Sequence, residues 1–355
     1  MVAKMNTNSV TSNKIHSLLQ KTIIPPSFFE LYLNGCPEHM NKQLEALYKH
    51  LERNTPEKLY RFRKFSKNSV NALKEGKIYF TRADKFNDPY DCLLHIDEGK
   101  LINNIVKQIS NKNLKHYIES GRYDELLKRN NINTDDFLNV ILGKKEWFLN
   151  EIKSTFPKAC DSLQKSTYIT CFSESIKSPT MWSHYADYHY GFAIEYDFQP
   201  SFFYPSPYFS KDNSFYGYGW RSLLPVHYSK YRADASALVD WYTLCEMRKK
   251  SGNNTDASCY ISDMLLKTKL CLEKSESWSY EKEWRLILTF EWPYSITNYR
   301  SSINYKASAV YLGSRMKERN KQQLINICKT QKIPVYQMKI DHLCKEYSMD
   351  YEQII

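Results

Sequence analysis

A chain of 355 residues that is 42% hydrophobic and 25% charged has ample apolar content for a folded core, which excludes a disordered chain. Its formal net charge of +11 is spread among acidic residues, so it admits an anionic partner such as nucleic acid or a phosphorylated ligand without singling one out. Nine cysteines without a CxxC pair exclude a zinc ribbon or disulfide framework, and the lack of any apolar run of about eighteen residues excludes a membrane-spanning helix.

The first ten residues, MVAKMNTNSV, lack the apolar run of a secretion signal, so a cytoplasmic protein with reduced cysteines is expected. Residues 1–57 read as an N-terminal helical extension. Pro25-Pro26 breaks it, and Leu44, Leu47 and Leu51 then share one helical face. Residues 58–355 read as a single α+β domain. It opens strand–helix–strand: LYRF at 59–62, a helix Lys67–Glu75 with Ser66 as N-cap and Gly76 at its C-terminal end, then IYFT at 78–81. A helical insertion follows at about 99–166, with an apolar stripe of Ile102, Ile105, Val106 and Ile109.

YITCFS at 168–173 has the composition of a central strand. Ser178-Pro179 announces a helix running through Tyr190, which Gly191 ends before the strand FAIEYD at 192–197. Residues 198–231, crowded with Tyr, Phe, Pro, Gly and Ser, read as a long aromatic loop. A second helical insertion spans about 234–275. Strands are then expected at 283–290, 309–312 and 333–340, with Ser314 capping a helix of about sixteen residues between the last two. The fold class is therefore α+β, built on a mixed, mostly antiparallel sheet with helical insertions.

Three short motifs carry the chemistry. In FNDPYD at 86–91, Asx side chains before proline preset a turn, and the same loop can hold Asn87 or Asp91 towards a cleft. In MWSHYADYHYGF at 181–192, helical spacing gathers Trp182, Tyr185, Ala186 and His189 on one face, expected to be core, and sets His184 beside Asp187 on the next. His184 has no second ligand at metal spacing, so no metal is expected there. In YEKEWR at 280–285, an extended backbone points Glu281, Glu283 and Arg285 to one side. Two carboxylates so close require a cation or a ligand between them, and Arg285 is one such cation.

LYRF, YFTRADKFNDPYD, CFSES, MWSHYADYHYGFAIEYD and YEKEWRLI, in that order between about 58 and 290, resemble the bacterial domain of unknown function numbered 2971. The succession of a strand with Arg61, a strand with Ser173 and the Glu-x-Glu of 281–283 also resembles the Arg–Ser–Glu order of ADP-ribosyltransferases. The opening LYRF…ALKEGKIYFT is similar to the start of DNA-modifying members of that group. CFS stands here where those enzymes often carry Ser-Thr-Ser, and the long insertion before it departs from their pattern.

That resemblance implies an NAD-using transferase or NAD-cleaving enzyme, a toxin or phage-defence effector, with NAD as substrate and no metal. Arg61 would grip NAD, Ser173 or Tyr79 would support the nicotinamide side, and Glu283 would stabilise the ribose cation with Glu281 as partner acid. Asn87, Asp91, Trp182, His184, Tyr185 and Arg285 would complete the substrate-binding wall. A nucleic acid or protein would be the acceptor. The rival readings are a nucleic-acid-binding or sensor module using the basic, tyrosine-rich surface, a hydrolase built on His184, and an interaction protein whose motifs serve only the fold.

Overall fold

The computed structural model describes residues 13–21, 42–99, 145–198, 206–208, 219–239, 265–290 and 302–355. The apolar stripe at 102–109, Pro25-Pro26, half of the expected aromatic loop and most of the second insertion lie outside these residues.

Residues 13–21 are helical, and helix α1 (Lys42–Asn54) follows. Ile15, Leu19, Leu47 and Leu51 from these two segments are buried in the same core as Leu59, so both segments are packed into the main body. After β1 (Leu59–Arg63) comes α2 (Lys67–Glu75), which is set by local chemistry alone. Ser66 and Ser69 form a reciprocal capping box, and Gly76 ends the helix in the left-handed region at φ 60°. The expected strand at 78–81 is two strands, β2 (Lys77–Tyr79) and β3 (Thr81–Arg82), because the chain changes partners at Phe80. β2 pairs with β11 (Ser302–Asn304), whereas β3 pairs with β4 (Thr167–Ser173), which follows helix α3 (Lys145–Ser166).

Helix α4 (Pro179–Tyr185) starts as expected, with Ser178 accepting from the Met181 N–H and Pro179 in the first turn. It stops five residues early. Asp187, Tyr188 and His189 all take positive φ (51°, 52° and 72°), turning the chain into β5 (Phe192–Tyr196). Gly191 and Gly313 are what allow this turn to sit down: a Cβ at Gly191 would lie 2.3 Å from the Arg63 carbonyl oxygen, and one at Gly313 would lie 2.1 Å from that of His189.

The remaining strands are β6 (Ser206–Tyr208), β7 (Gly219–Pro225), β8 (His227–Ser229), β9 (Glu273–Ser275), β10 (Glu283–Phe290), β12 (Ala309–Leu312), β13 (Val335–Ile340) and β14 (Met349–Gln353). Strands thus occupy part of the expected aromatic loop, and β9 follows a short helix α5 (Leu266–Leu270). Helix α6 (Glu318–Gln331) begins after Lys317 rather than Ser314, whose hydroxyl faces His189 instead.

The main sheet has ten strands in the order β14-β13-β12-β5-β1-β4-β10-β7-β6, with β3 beside β4. Every pair in it is antiparallel except β12–β13, so the mixed, mostly antiparallel α+β architecture is what the chain forms. Core lies on both faces. Leu59, Ile194, Leu286 and Leu288 belong to the larger cluster, while Tyr60, Phe62, Trp182, Ala193 and Tyr311 form a second one on the other side. Each fully buried leucine contributes roughly 1.5–3 kcal/mol of burial free energy, and β10 alone supplies Leu286 and Leu288.

Candidate functional site: a cleft where the sheet parts

β1 and β4 pair in register only at Tyr60↔Ser173. Further along β4 the same edge is taken by β3, at Ile169 and Tyr168. Between these contacts the sheet is open, and a cleft of about 390 Å³ fills the gap, a volume suited to a small molecule. By register, Tyr60, Ser173 and Glu283 face one side of the sheet and Arg61 the other. Because β1 and β4 diverge, residues from both faces reach the cleft wall: Arg61, Arg63, Asn87, Asp91, Ser173, His184, Tyr185, Lys274, Glu281 and Glu283.

One end of the cleft is a dense ionic network. Arg285 is fully buried beneath the wall, with its guanidinium forked onto Asp91 at 2.7 and 2.6 Å and onto Glu283 at 2.8 and 3.1 Å, and it also donates to the Cys271 carbonyl at 2.6 Å. Lys274 Nζ donates to Glu281 at 2.5 Å and Glu283 at 2.9 Å, and lies 3.6 Å from Asp91. Tyr185 donates its hydroxyl to the second oxygen of Glu281 at 2.5 Å. Local structure aims these groups. Asp88 closes an Asx turn on the Tyr90 N–H that presents Asp91. Ser173 donates to the Glu281 carbonyl at 2.7 Å, and Tyr228 accepts from the Glu283 N–H at 2.9 Å.

Three carboxylates face two cations here, so the charges do not cancel and the two glutamates separate. Burial, followed by the charge of Glu283, raises the pKa of Glu281. Burial would raise Glu283 as well, but Arg285 and Lys274 outweigh it and hold its carboxyl well below the usual range. Lys274 is pushed up, because Glu283, Asp91 and Glu281 overcome its desolvation.

The other end is cationic and underpartnered. Arg61 is buried, donates to the Tyr79 carbonyl at 2.7 Å, and meets no carboxylate among the described residues. Burial, then repulsion from Arg63, pulls its pKa down to about 9, so at neutral pH it remains charged and uncompensated. Arg63 is in the same position, lowered by burial and without a carboxylate partner among the described residues.

Of the residues expected from sequence, Arg61, Asn87, Asp91, Ser173, His184, Tyr185, Glu281 and Glu283 line the cleft. Three do not. Trp182 is core, its indole donating to the Ile176 carbonyl at 2.7 Å. Arg285 lies behind the wall with its donors engaged, and the Tyr79 hydroxyl turns away to Glu75, leaving only its carbonyl near Arg61. His184 does not meet Asp187; the positive φ of Asp187 removes it from the helix, and His184 bonds the Tyr280 hydroxyl at 2.9 Å. Nor is Glu281 on a strand with Glu283. Residues Glu276–Glu281 form a 3-10 turn, Lys282 is left-handed at φ 45°, and the two carboxylates meet through Lys274 instead. Lys274 and Arg63 were missed by sequence reasoning. The alternation of Arg61 and Arg63 along β1 was the available signal for one of them; nothing local marks the other.

Residues 181–286 match a family model described as protein of unknown function (DUF2971). The matched segment contains Tyr185, Lys274, Glu281, Glu283 and Arg285, and excludes β1 and the FNDPYD loop. No curated protein matches the chain, and no solved structure does. No helix among the described residues is long and apolar enough to cross a membrane.

Proposed function

We propose that the cleft binds an NAD-type dinucleotide and breaks its nicotinamide–ribose bond, as an ADP-ribosyltransferase or NAD glycohydrolase. The observation that carries this reading is the pairing of two ends in one nucleotide-sized cleft. Two guanidiniums without carboxylate partners among the described residues stand at one end, and a split pair of glutamates at the other. Arg61 and Arg63 suit a diphosphate, whose negative charge supplies what the protein withholds. Glu283, held ionised, lies beside the ribose as positive charge develops on C1′. The C–N bond breaks with its electron pair leaving on nicotinamide. A water or acceptor oxygen bonds to C1′ and its proton passes to Glu281, the carboxylate that burial and the charge of Glu283 make the more basic of the two. Tyr185 and Lys274 orient Glu281. Ser173 acts through the backbone of Glu281, as a positioning residue.

The test is nicotinamide release from NAD by the purified chain, alone and with single-stranded DNA, RNA or protein as acceptor. Release that falls on the order of a hundredfold in Glu281→Gln is the expected result. A wild-type protein that neither binds ADP-ribose in calorimetry nor releases nicotinamide under any of these conditions rules the reading out.

A further inference from the structure

Away from the cleft, His16, His227 and Glu273 bring three metal-ligating side chains together, with their ligand atoms all within 4.8 Å of one another. We propose that these residues bind one zinc ion, tying the helical residues 13–21 to the small sheet β8–β9. His227 Nδ1 lies 2.9 Å from one oxygen of Glu273, and His16 Nε2 lies 3.2 Å from the other. Ligand atoms around a tetrahedral zinc stand roughly 3.3 Å apart, given bonds of about 2.0–2.1 Å. Each oxygen of Glu273 is therefore at coordination spacing from one imidazole nitrogen, and a single ion would be reached by both nitrogens once the stacked rings turn towards it.

The ligands are held on fixed elements. His227 and Glu273 are register partners in the parallel pair β8–β9. His16 is carried by a helical segment whose Ile15 and Leu19 are buried in the main core. The two imidazoles stack at 3.8 Å between centroids, 10° from parallel, on one side of a single carboxylate. Two histidines and one glutamate are a zinc donor set, and side-chain exposures of 18%, 24% and 12% keep the cluster within reach of solvent. The three residues come from segments far apart in the chain, so no local spacing marks them, and the lack of a second ligand near His184 does not bear on them. Glu273 directly precedes Lys274, so a metal here would also hold the strand that delivers Lys274 to the cleft.

The experiment uses the full chain, stripped with chelator and titrated with Zn²⁺ by calorimetry, with metal content by mass spectrometry and thermal midpoints with and without Zn²⁺. One zinc per chain and a midpoint raised by Zn²⁺ are expected. His16→Ala and His227→Ala should each weaken binding at least about tenfold, the lower bound for disturbing a metal's supporting residues. Glu273→Gln keeps the size of the side chain and a hydrogen bond to an imidazole. It should leave the metal-free midpoint near that of the wild type while weakening Zn²⁺ to the same degree. No binding by the wild type, or equal binding by wild type and all three variants, would overturn the proposal and leave a hydrogen-bonded cluster only. Neither outcome depends on nicotinamide release.

Discussion

The two ends of the cleft are built on opposite principles. At the Glu281/Glu283 end, every charge has a partner on the protein: Arg285 alone makes five contacts within hydrogen-bonding distance to Asp91, Glu283 and Cys271, and Lys274 bridges the two glutamates. At the Arg61/Arg63 end, the two positive charges have among the described residues one side-chain hydrogen bond, from Arg61 to the Tyr79 carbonyl. The first arrangement spends its interactions on shape, and removing a member leaves a buried charge exposed to its neighbours. The second holds interactions in reserve, so removing a member should be felt only when an anion arrives.

The largest expected effect is at the satisfied end. Arg285→Met leaves Asp91, Glu283 and Glu281 to share Lys274 alone and should lower the unfolding free energy by about 3–5 kcal/mol. Urea unfolding at neutral pH measures this, and a loss under about 1 kcal/mol, the size expected of an exposed pair, would break the contrast. The two glutamates should then separate. Glu283→Gln destabilises on a similar scale, because it removes a carboxylate gripped by both cations. Glu281→Gln leaves two carboxylates facing two cations, so its melting temperature should stay close to that of the wild type while nicotinamide release falls on the order of a hundredfold. If both variants unfold alike, or both cleave alike, the division of roles is wrong.

A smaller effect concerns pH. The folded pKa of Glu283 is depressed, so its stabilisation is complete above the unfolded carboxylate value of about 4.3 and is lost as pH falls towards the folded value below it. Wild-type stability should therefore decline more steeply with acidification below about pH 5 than that of Glu283→Gln, as read from unfolding free energies at a series of pH values. The smallest effect on the free protein belongs to Arg63→Met. Stability should be unchanged or slightly higher, because an uncompensated charge is removed, while ADP-ribose or pyrophosphate should bind on the order of tenfold more weakly, the worth of one charged hydrogen bond. A stability loss comparable to that of Arg285→Met would mean that this end is scaffold too.

Elements set by neighbouring residues were legible in the sequence. The Ser66–Ser69 capping box and Gly76 define α2, Ser178-Pro179 starts α4, and short runs of strand-forming residues give β1, β4, β5 and β10. Elements set by distant packing were not. Nothing around Tyr188 announces three left-handed residues; the turn exists because Gly191 and Gly313 let it press against Arg63 and the start of α6's loop. Within the site, Asp91, Glu281 and Glu283 were visible as motifs, yet how they join was not. Lys274 lies at the end of the expected second helical insertion, where no neighbouring residue marks it, and its partners Asp91, Glu281 and Glu283 come from other segments.

The position of β1 bears on how the protein comes into being. β1 carries both cleft arginines and sits at the middle of the ten-stranded order, yet its two neighbours, β4 and β5, lie more than a hundred residues later in the chain. During synthesis, LYRFR must leave the ribosome long before anything can pair with it, and such sequence-distant pairing delays folding because the loop entropy is lost before the contacts form. Its alternating apolar and cationic residues suit that wait: Arg61 and Arg63 keep a nascent hydrophobic strand charged and discourage it from pairing with other chains until Ser173 and Tyr196 arrive.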